Sequence, residues 1–203
     1  MAYAQQFPSK VFHKGEVLME DGILKKGMIK YDLESDVILL EDSTTRGIET
    51  ISAINLKAFR LLPSQNKPAR LFYVLPYQNE TGYKRPKIFE VLLEDKYSLV
   101  AREFIVVRSR PVNSSFVRMS RFDPFYNPLY SDMYRQQYLS YNLYLVSPEG
   151  ELKELGSKRK QVIDAFDRYN DRIKDYIKDE KINVSNLDDI VQLVKYYNDL
   201  VDL

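Results

Sequence analysis

Seven side chains between positions 118 and 138 offer the chain its best prospect of chemistry: Arg118, Arg121, Tyr126, Tyr130, Tyr134, Arg135 and Tyr138. Tyr rings present stacking faces, and a guanidinium binds phosphates, carboxylates or ring planes. Together they suit a carbohydrate, a peptide or single-stranded nucleic acid, which makes them the candidate ligand-binding residues. Tyr130, Tyr134 and Tyr138 recur in steps of four, the spacing of one face of a short helix. The surrounding segment 108–137 holds five Arg, two Asp and no Lys, a local charge of +3. Pro111, Pro124 and Pro128 forbid a long regular element within it. An irregular stretch of this length inside a compact domain is either functional or mobile. The competing reading is that the aromatics anchor an insertion while the Arg residues stay solvated, because aromatic stripes serve packing more often than recognition.

Elsewhere the chemistry is sparse. His13 is the one imidazole, expected exposed near the first strand, and no motif supplies it with an orienting carboxylate and a nucleophile. There is no Cys, which excludes disulfides, thiolate catalysis and cysteine-ligated metal. Zinc-helix, P-loop, dinucleotide-loop, nucleophile-elbow and EF-hand spacings do not occur. The carboxylate pairs Glu90 with Glu94 and Glu151 with Glu154 fall in or beside strands, where alternation and solvation account for them. The expectation is therefore no catalytic residue, no metal ligand and no cofactor, and a protein that is not an enzyme.

Composition bounds the partners. With 30 basic against 29 acidic residues the net charge is +1, so no global field attracts nucleic acid or an anionic membrane. The longest apolar run is five residues, Leu71 to Leu75, and no membrane span is expected. A length of 203 residues, 44% of them hydrophobic and including 16 Tyr and 10 Phe, suffices for one large domain, or one plus a small appendage, with a sizeable core.

The elements that must position any site read as strands first and helices last. Glu16 to Glu20 leads into Asp21-Gly22, a hairpin dipeptide, followed by Gly27 to Tyr31, Val37 to Glu41 and a less regular stretch from Ile51 to Leu62. Arg70 to Leu75 is β-prone and closed by Pro76, and Gln78 to Pro86 has the composition of an exposed loop. Lys87 to Leu93 and Tyr97 to Val107 form a hairpin, as do Leu143 to Val146 and Glu151 to Leu155. Beyond residue 156 the period changes: Val162, Phe166, Tyr169, Ile173 and Tyr176 line one helix. Ser185 and Asp188 then start a second, striped by Leu187, Ile190, Val194, Tyr197 and Val201. The expected class is α+β, a mostly antiparallel β-sheet or partly open barrel followed by a C-terminal αα-hairpin. Its parts are a β-rich body over 1–107, the Arg/Tyr-rich loop or insertion over 108–137, a β-hairpin completing the body over 138–156, and the helical hairpin over 157–203.

The start, Ala2-Tyr3-Ala4 before Gln5-Gln6, has the small residues that signal peptidase requires. Read as the remnant of a signal peptide, it puts the mature protein in the periplasm or outer envelope; read as an arbitrary polar arm, it leaves the protein in the cytoplasm. Two resemblances bear on function. Val17-Leu18, Asp21-Gly22, Gly27-Met28-Ile29, Asp32, Asp36 and Leu39 resemble the first motif of the Sm-like RNA-binding proteins, with the spacing to Asp one residue short and Asp36 where an RNA-contacting Asn is expected. Arg46-Gly47 is similar to the second motif.

Most of the chain, except the Arg and Tyr loop, is similar to uncharacterised exported β-rich proteins of Bacteroidetes-type bacteria. That likeness rests on the opening, on Phe89-Glu90-Val91-Leu92, and on the ending from Tyr176-Ile177-Lys178 through Asp188-Asp189-Ile190 to Tyr196-Tyr197-Asn198-Asp199-Leu200. It implies an envelope setting and supplies no catalytic residue. The reading is a non-catalytic envelope-associated protein acting by binding or assembly, with an envelope protein or glycan as partner. The alternative is a small-molecule or glycan-binding module using the Tyr and Arg loop, and an Sm-like RNA-binding protein stands behind both.

Overall fold

The computed structural model describes residues 8–42, 47–62, 68–78, 82–111 and 133–202, without the side chains of 108–111 and 133–136. Ten strands form one antiparallel open sheet: β1 (His13–Met19), β2 (Leu24–Asp32), β3 (Val37–Asp42), β4 (Ile48–Ser52), β5 (Leu56–Leu61), β6 (Arg70–Gln78), β7 (Lys84–Leu93), β8 (Ser98–Pro111), β9 (Met133–Val146) and β10 (Leu152–Glu154). Their order is β10-β9-β8-β7-β6-β5-β1-β2-β3-β4. Helices α1 (Arg159–Ala165), α2 (Asn170–Asp179) and α3 (Leu187–Val201) follow, so the protein is α+β. The chain divides into two compact units, residues 1–102 with 141–203, and residues 103–140.

In the first unit Asp21-Gly22 turns β1 into β2, with Gly22 at a φ of 86° that suits its lack of a Cβ. Along β2 the inward positions Gly27, Ile29 and Tyr31 are buried, whereas Lys26, Met28 and Asp32 are exposed. A flat sheet would hold β3 and β7 roughly 24 Å apart, at about 4.8 Å per strand. Instead the turn between β2 and β3 touches β7, where the Ile88 N–H donates to Asp36 Oδ1 at 3.0 Å. The sheet must curl to allow this. Gly15 and Gly27, opposite each other on β1 and β2, permit it, because a Cβ on either would overlap the backbone carbonyl of Arg60 or Glu41 on the next strand. The curl closes the inner face on one core that includes Val17, Ile29, Ile38, Phe59, Phe72 and Ile88. Phe59 and Phe72 stack at 4.4 Å within it.

Pro76 and Pro86 lie directly opposite each other on β6 and β7. Opposed residues of an antiparallel ladder exchange either two N–H···O bonds or none, so two prolines fit only the second kind of site. Strand structure therefore runs through both prolines, to Gln78 and from Lys84, where composition suggested a loop over 78–86.

The helix expected through Val162 and Tyr176 is two helices. Phe166 is extended, with ψ 105°, and Tyr169 is left-handed, with φ 63°. The break lets the Phe166 ring bury completely 4.7 Å from Tyr197, and Tyr169 is left exposed. Packing of one aromatic has overridden the helical period. The cap of α3 lies one residue later than the Ser185 spacing suggests: Asn186 Oδ1 accepts from the N–H groups of Asp188 and Asp189. Ile190, Leu193, Val194, Tyr197 and Leu200 of α3 share a core with Leu99, Leu145 and Leu155. Buried Asn198 pins the helix, its Oδ1 accepting the Tyr97 N–H at 2.7 Å and its Nδ2 donating to the Tyr97 carbonyl at 2.9 Å.

In the second unit β8 continues to Pro111 and β9 begins at Met133, so both ends of the segment 108–137 are strand. Glu103 is buried there, while Phe104 and Val107 are exposed.

Candidate functional site

Of the seven residues singled out in the sequence, Arg118, Arg121, Tyr126 and Tyr130 lie outside the described residues, as do the side chains of Tyr134 and Arg135. Tyr134, Arg135 and Tyr138 belong to β9, and Tyr138 is half-buried. The step of four that suggested a helix is a strand spacing here, because an even step satisfies a period of two as well.

The chemistry-bearing side chains that the structure gathers lie in the first unit, on the outer face of β6 to β9. Arg85, Lys87 and Phe89 alternate along β7 with inward residues, and the register sets Tyr77 opposite Arg85, Leu75 opposite Lys87 and Tyr73 opposite Phe89. Phe89 is buried in a cluster with Val100 and Tyr144, against which Leu75 and Tyr77 pack. Tyr144 meets Phe89 edge-on at 5.3 Å and Tyr77 at 6.0 Å. The Lys87 ammonium stands 4.5 Å above the Tyr77 ring, and the Arg102 guanidinium 5.5 Å from the Phe89 ring.

Two cations of this face are held very differently. Arg102 forms an ion pair with Asp36 at 2.6 Å, and the two side chains are only 13% and 12% exposed. Its Nη1 also donates to the Ile88 carbonyl at 2.9 Å and its Nη2 to the Leu33 carbonyl. Pro86 can stand only where its nitrogen points away from β6, so Ile88, two residues on, turns its own N–H and C=O the same way. Asp36 takes that N–H and Arg102 that carbonyl. Asp36, the position at which the Sm-like resemblance expects an RNA contact, holds Arg102 and β7 with its carboxylate.

Lys87 is half-buried beside them. Burial pushes its ammonium below the usual lysine range, Arg102 and Arg85 lower it further, and Asp36 opposes them. Among the described residues no carboxylate lies within ion-pair distance of Lys87 or of exposed Arg85. Burial pushes the Tyr144 hydroxyl up to about 12, with Glu154 and Tyr77 adding to the shift, so it remains a protonated donor at neutral pH.

Glu90 is buried rather than solvated, contrary to the sequence expectation, because alternation puts it on the same inward side as Ile88. Arg70 grips it with two bonds of 2.6 and 2.7 Å and reaches the Tyr31 hydroxyl at 2.7 Å. With its guanidinium 5.1 Å from the Phe72 ring, Arg70 is an internal strut. Glu94 accepts a hydrogen bond from Tyr73 at 3.1 Å. His13 opens β1 half-buried rather than exposed as expected, because its Nε2 turns back to 2.7 Å from the Pro8 carbonyl oxygen. Among the described residues no group of three His, Asp or Glu could hold a metal ion, and no helix is long and apolar enough to cross a membrane.

Sequence reasoning missed the outer face because Arg85 fell in a supposed loop and Tyr77 next to it. The available signal was two opposed alternations, Tyr73-Leu75-Tyr77 against Arg85-Lys87-Phe89. Compared with family models, with curated proteins and with solved structures, the chain matches none.

Proposed function

We propose that the protein acts by binding or assembly rather than by catalysis, and that the outer face of β6 to β9 is its binding surface. The observation that supports this reading is the half-buried Lys87, set over Tyr77 between two further cations with no carboxylate partner of its own among the described residues. A charge partly removed from water without a counterion is costly to fold, and a partner that brings the counterion recovers that cost. An envelope setting rests on the sequence alone, on the Ala2-Tyr3-Ala4 start and on the resemblance.

The test is a thermal-shift screen of neutral and acidic oligosaccharides and short peptides, run on the wild type and on a Tyr77→Ala, Lys87→Met double variant. The expected result is saturable stabilisation of the wild type by one ligand class, absent in the double variant, with no turnover of the ligand. Equal stabilisation of both proteins would move the binding surface elsewhere. The alternative site, the Arg and Tyr segment, would then be tested by Arg118→Ala with Tyr130→Ala. The envelope proposal is checked by fractionating the native host and reading the intact N-terminus by mass spectrometry, with a start at Gln5 expected.

A further inference from the structure

We propose that Lys87 and Arg85 together recognise an oxyanion, a carboxylate or a phosphate- or sulfate-type group, carried by whatever occupies the outer face of β6 and β7. This deepens the binding reading and rests on it. Three observations carry it. Arg85 and Lys87 are two apart on one strand and therefore stand on the same face, an exposed guanidinium near enough to lower the pKa of a half-buried ammonium. A free guanidinium offers a planar fork of donors that matches carboxylate and phosphate oxygens, and an ammonium adds three more donors.

Among the described residues the carboxylate that acts on Lys87 is Asp36, and it is already engaged by Arg102 and by the Ile88 N–H. Asp36 cancels one of the three cations Arg85, Lys87 and Arg102, which leaves two uncancelled. The Tyr77 ring then fixes where the ammonium stands, 4.5 Å above its centroid, so the donor is oriented before any ligand arrives. Arg70, Arg102 and Lys25 each have a carboxylate within 3 Å. Lys87 is built into the same sheet without one among the described residues.

The full chain is titrated with sodium citrate, sodium phosphate and sodium sulfate against sodium chloride at matched ionic strength. The readouts are the melting temperature and the amide shifts of Arg85 and Lys87. At least one oxyanion is expected to saturate where chloride does not. The dissociation constant should rise about tenfold in Lys87→Met and about threefold in Arg85→Ala, the scale of losing one charge-assisted hydrogen bond. Lys30→Met, which removes a half-buried lysine from β2, should leave it unchanged.

Response to citrate alone identifies a carboxylate source, and response to phosphate or sulfate alone a phosphoryl or sulfuryl source; either upholds the proposal. No saturation by any oxyanion, or an unchanged constant in Lys87→Met, overturns it. If an uncharged ligand from the oligosaccharide and peptide screen still depends on Tyr77, the binding surface stands and only the oxyanion is wrong. If nothing depends on Tyr77 either, both readings fall.

Discussion

Arg102 and Lys87 sit on neighbouring strands of one sheet face, share Asp36 as a nearby charge, and are used in opposite ways. Arg102 has a carboxylate and two backbone carbonyls as acceptors, and all three lie within the body of the first unit. Lys87 has an aromatic ring beneath it and no acceptor among the described residues. The contrast separates a charge that holds the fold from a charge the fold tolerates. A buried ion whose donors are all satisfied is part of the scaffold, and removing its partner leaves an uncompensated charge. A half-buried ion whose neighbour is a ring rather than a counterion recovers only part of its lost hydration.

Four experiments would break or sharpen that contrast, beginning with the largest effect. Asp36→Ala removes the acceptor of both Arg102 and the Ile88 N–H, and puts a residue unsuited to φ 54° into the turn. We expect a loss of about 3–5 kcal/mol, read as a fall of roughly 10 °C in melting temperature. Asp36→Asn keeps an acceptor and a residue that tolerates the left-handed backbone, so it should lose about half as much. If Asp36→Ala melts within a degree or two of wild type, Arg102 is no scaffold charge and the comparison collapses.

Glu90→Gln leaves Arg70 charged between Tyr31 and Phe72 with one good acceptor fewer. We expect a loss of about 2 kcal/mol by urea denaturation, with the slope unchanged because the fold persists.

Tyr144→Phe tests the burial of the aromatic cluster through pH. Its hydroxyl ionises near 10 when unfolded and at about 12 when folded. The folded state therefore holds the proton more tightly, and the stability this contributes is complete below pH 10 and is lost as pH rises towards 12. Replacing Tyr144 should make alkaline unfolding shallower over that window. Tyr197, also pushed up to about 12 by burial, will keep part of the slope.

Lys87→Met should change stability least, by under about 1 kcal/mol at pH 7 and in the favourable direction. The sign follows from its lowered value: the folded state releases the proton earlier than the unfolded chain does. Lys87 therefore costs stability at neutral pH, and the cost is relieved as pH rises to the ordinary 10.5. A large loss in the variant would show Lys87 to be structural.

Much of the fold was legible because alternation is a local signal. The hairpin at Asp21-Gly22, the pairing of Lys87–Leu93 with the strand after Tyr97, and the burial of Ile190, Val194 and Tyr197 follow from periods of 2 and 3.6. What sequence reasoning missed depends on contacts distant in the chain. Pro76 and Pro86 look like loop residues until each is placed opposite the other. Phe166 breaks a helix for the sake of Tyr197, thirty-one residues later. Asp36 reads as a polar link residue, and its role depends on Ile88 and Arg102, 52 and 66 residues away. The candidate surface was illegible for the same reason, since the rings Tyr77, Phe89 and Tyr144 and the cations Arg85, Lys87 and Arg102 come from four strands. The Arg and Tyr segment attracted attention through composition, and of its chosen side chains only Tyr138 lies among those described.

The facing prolines carry one more consequence, for how the molecule behaves in a crowd. β5 pairs with β6 only from Ala58↔Tyr73 to Leu61↔Arg70, so Pro76 stands beyond the end of that ladder. Its nitrogen points away from β7, into the place where a passing strand from another chain could dock. A strand seeking a run of alternating donors and acceptors meets a gap there, because proline has no N–H to offer. The length of β6 that runs past β5 therefore presents such a strand with one donor fewer.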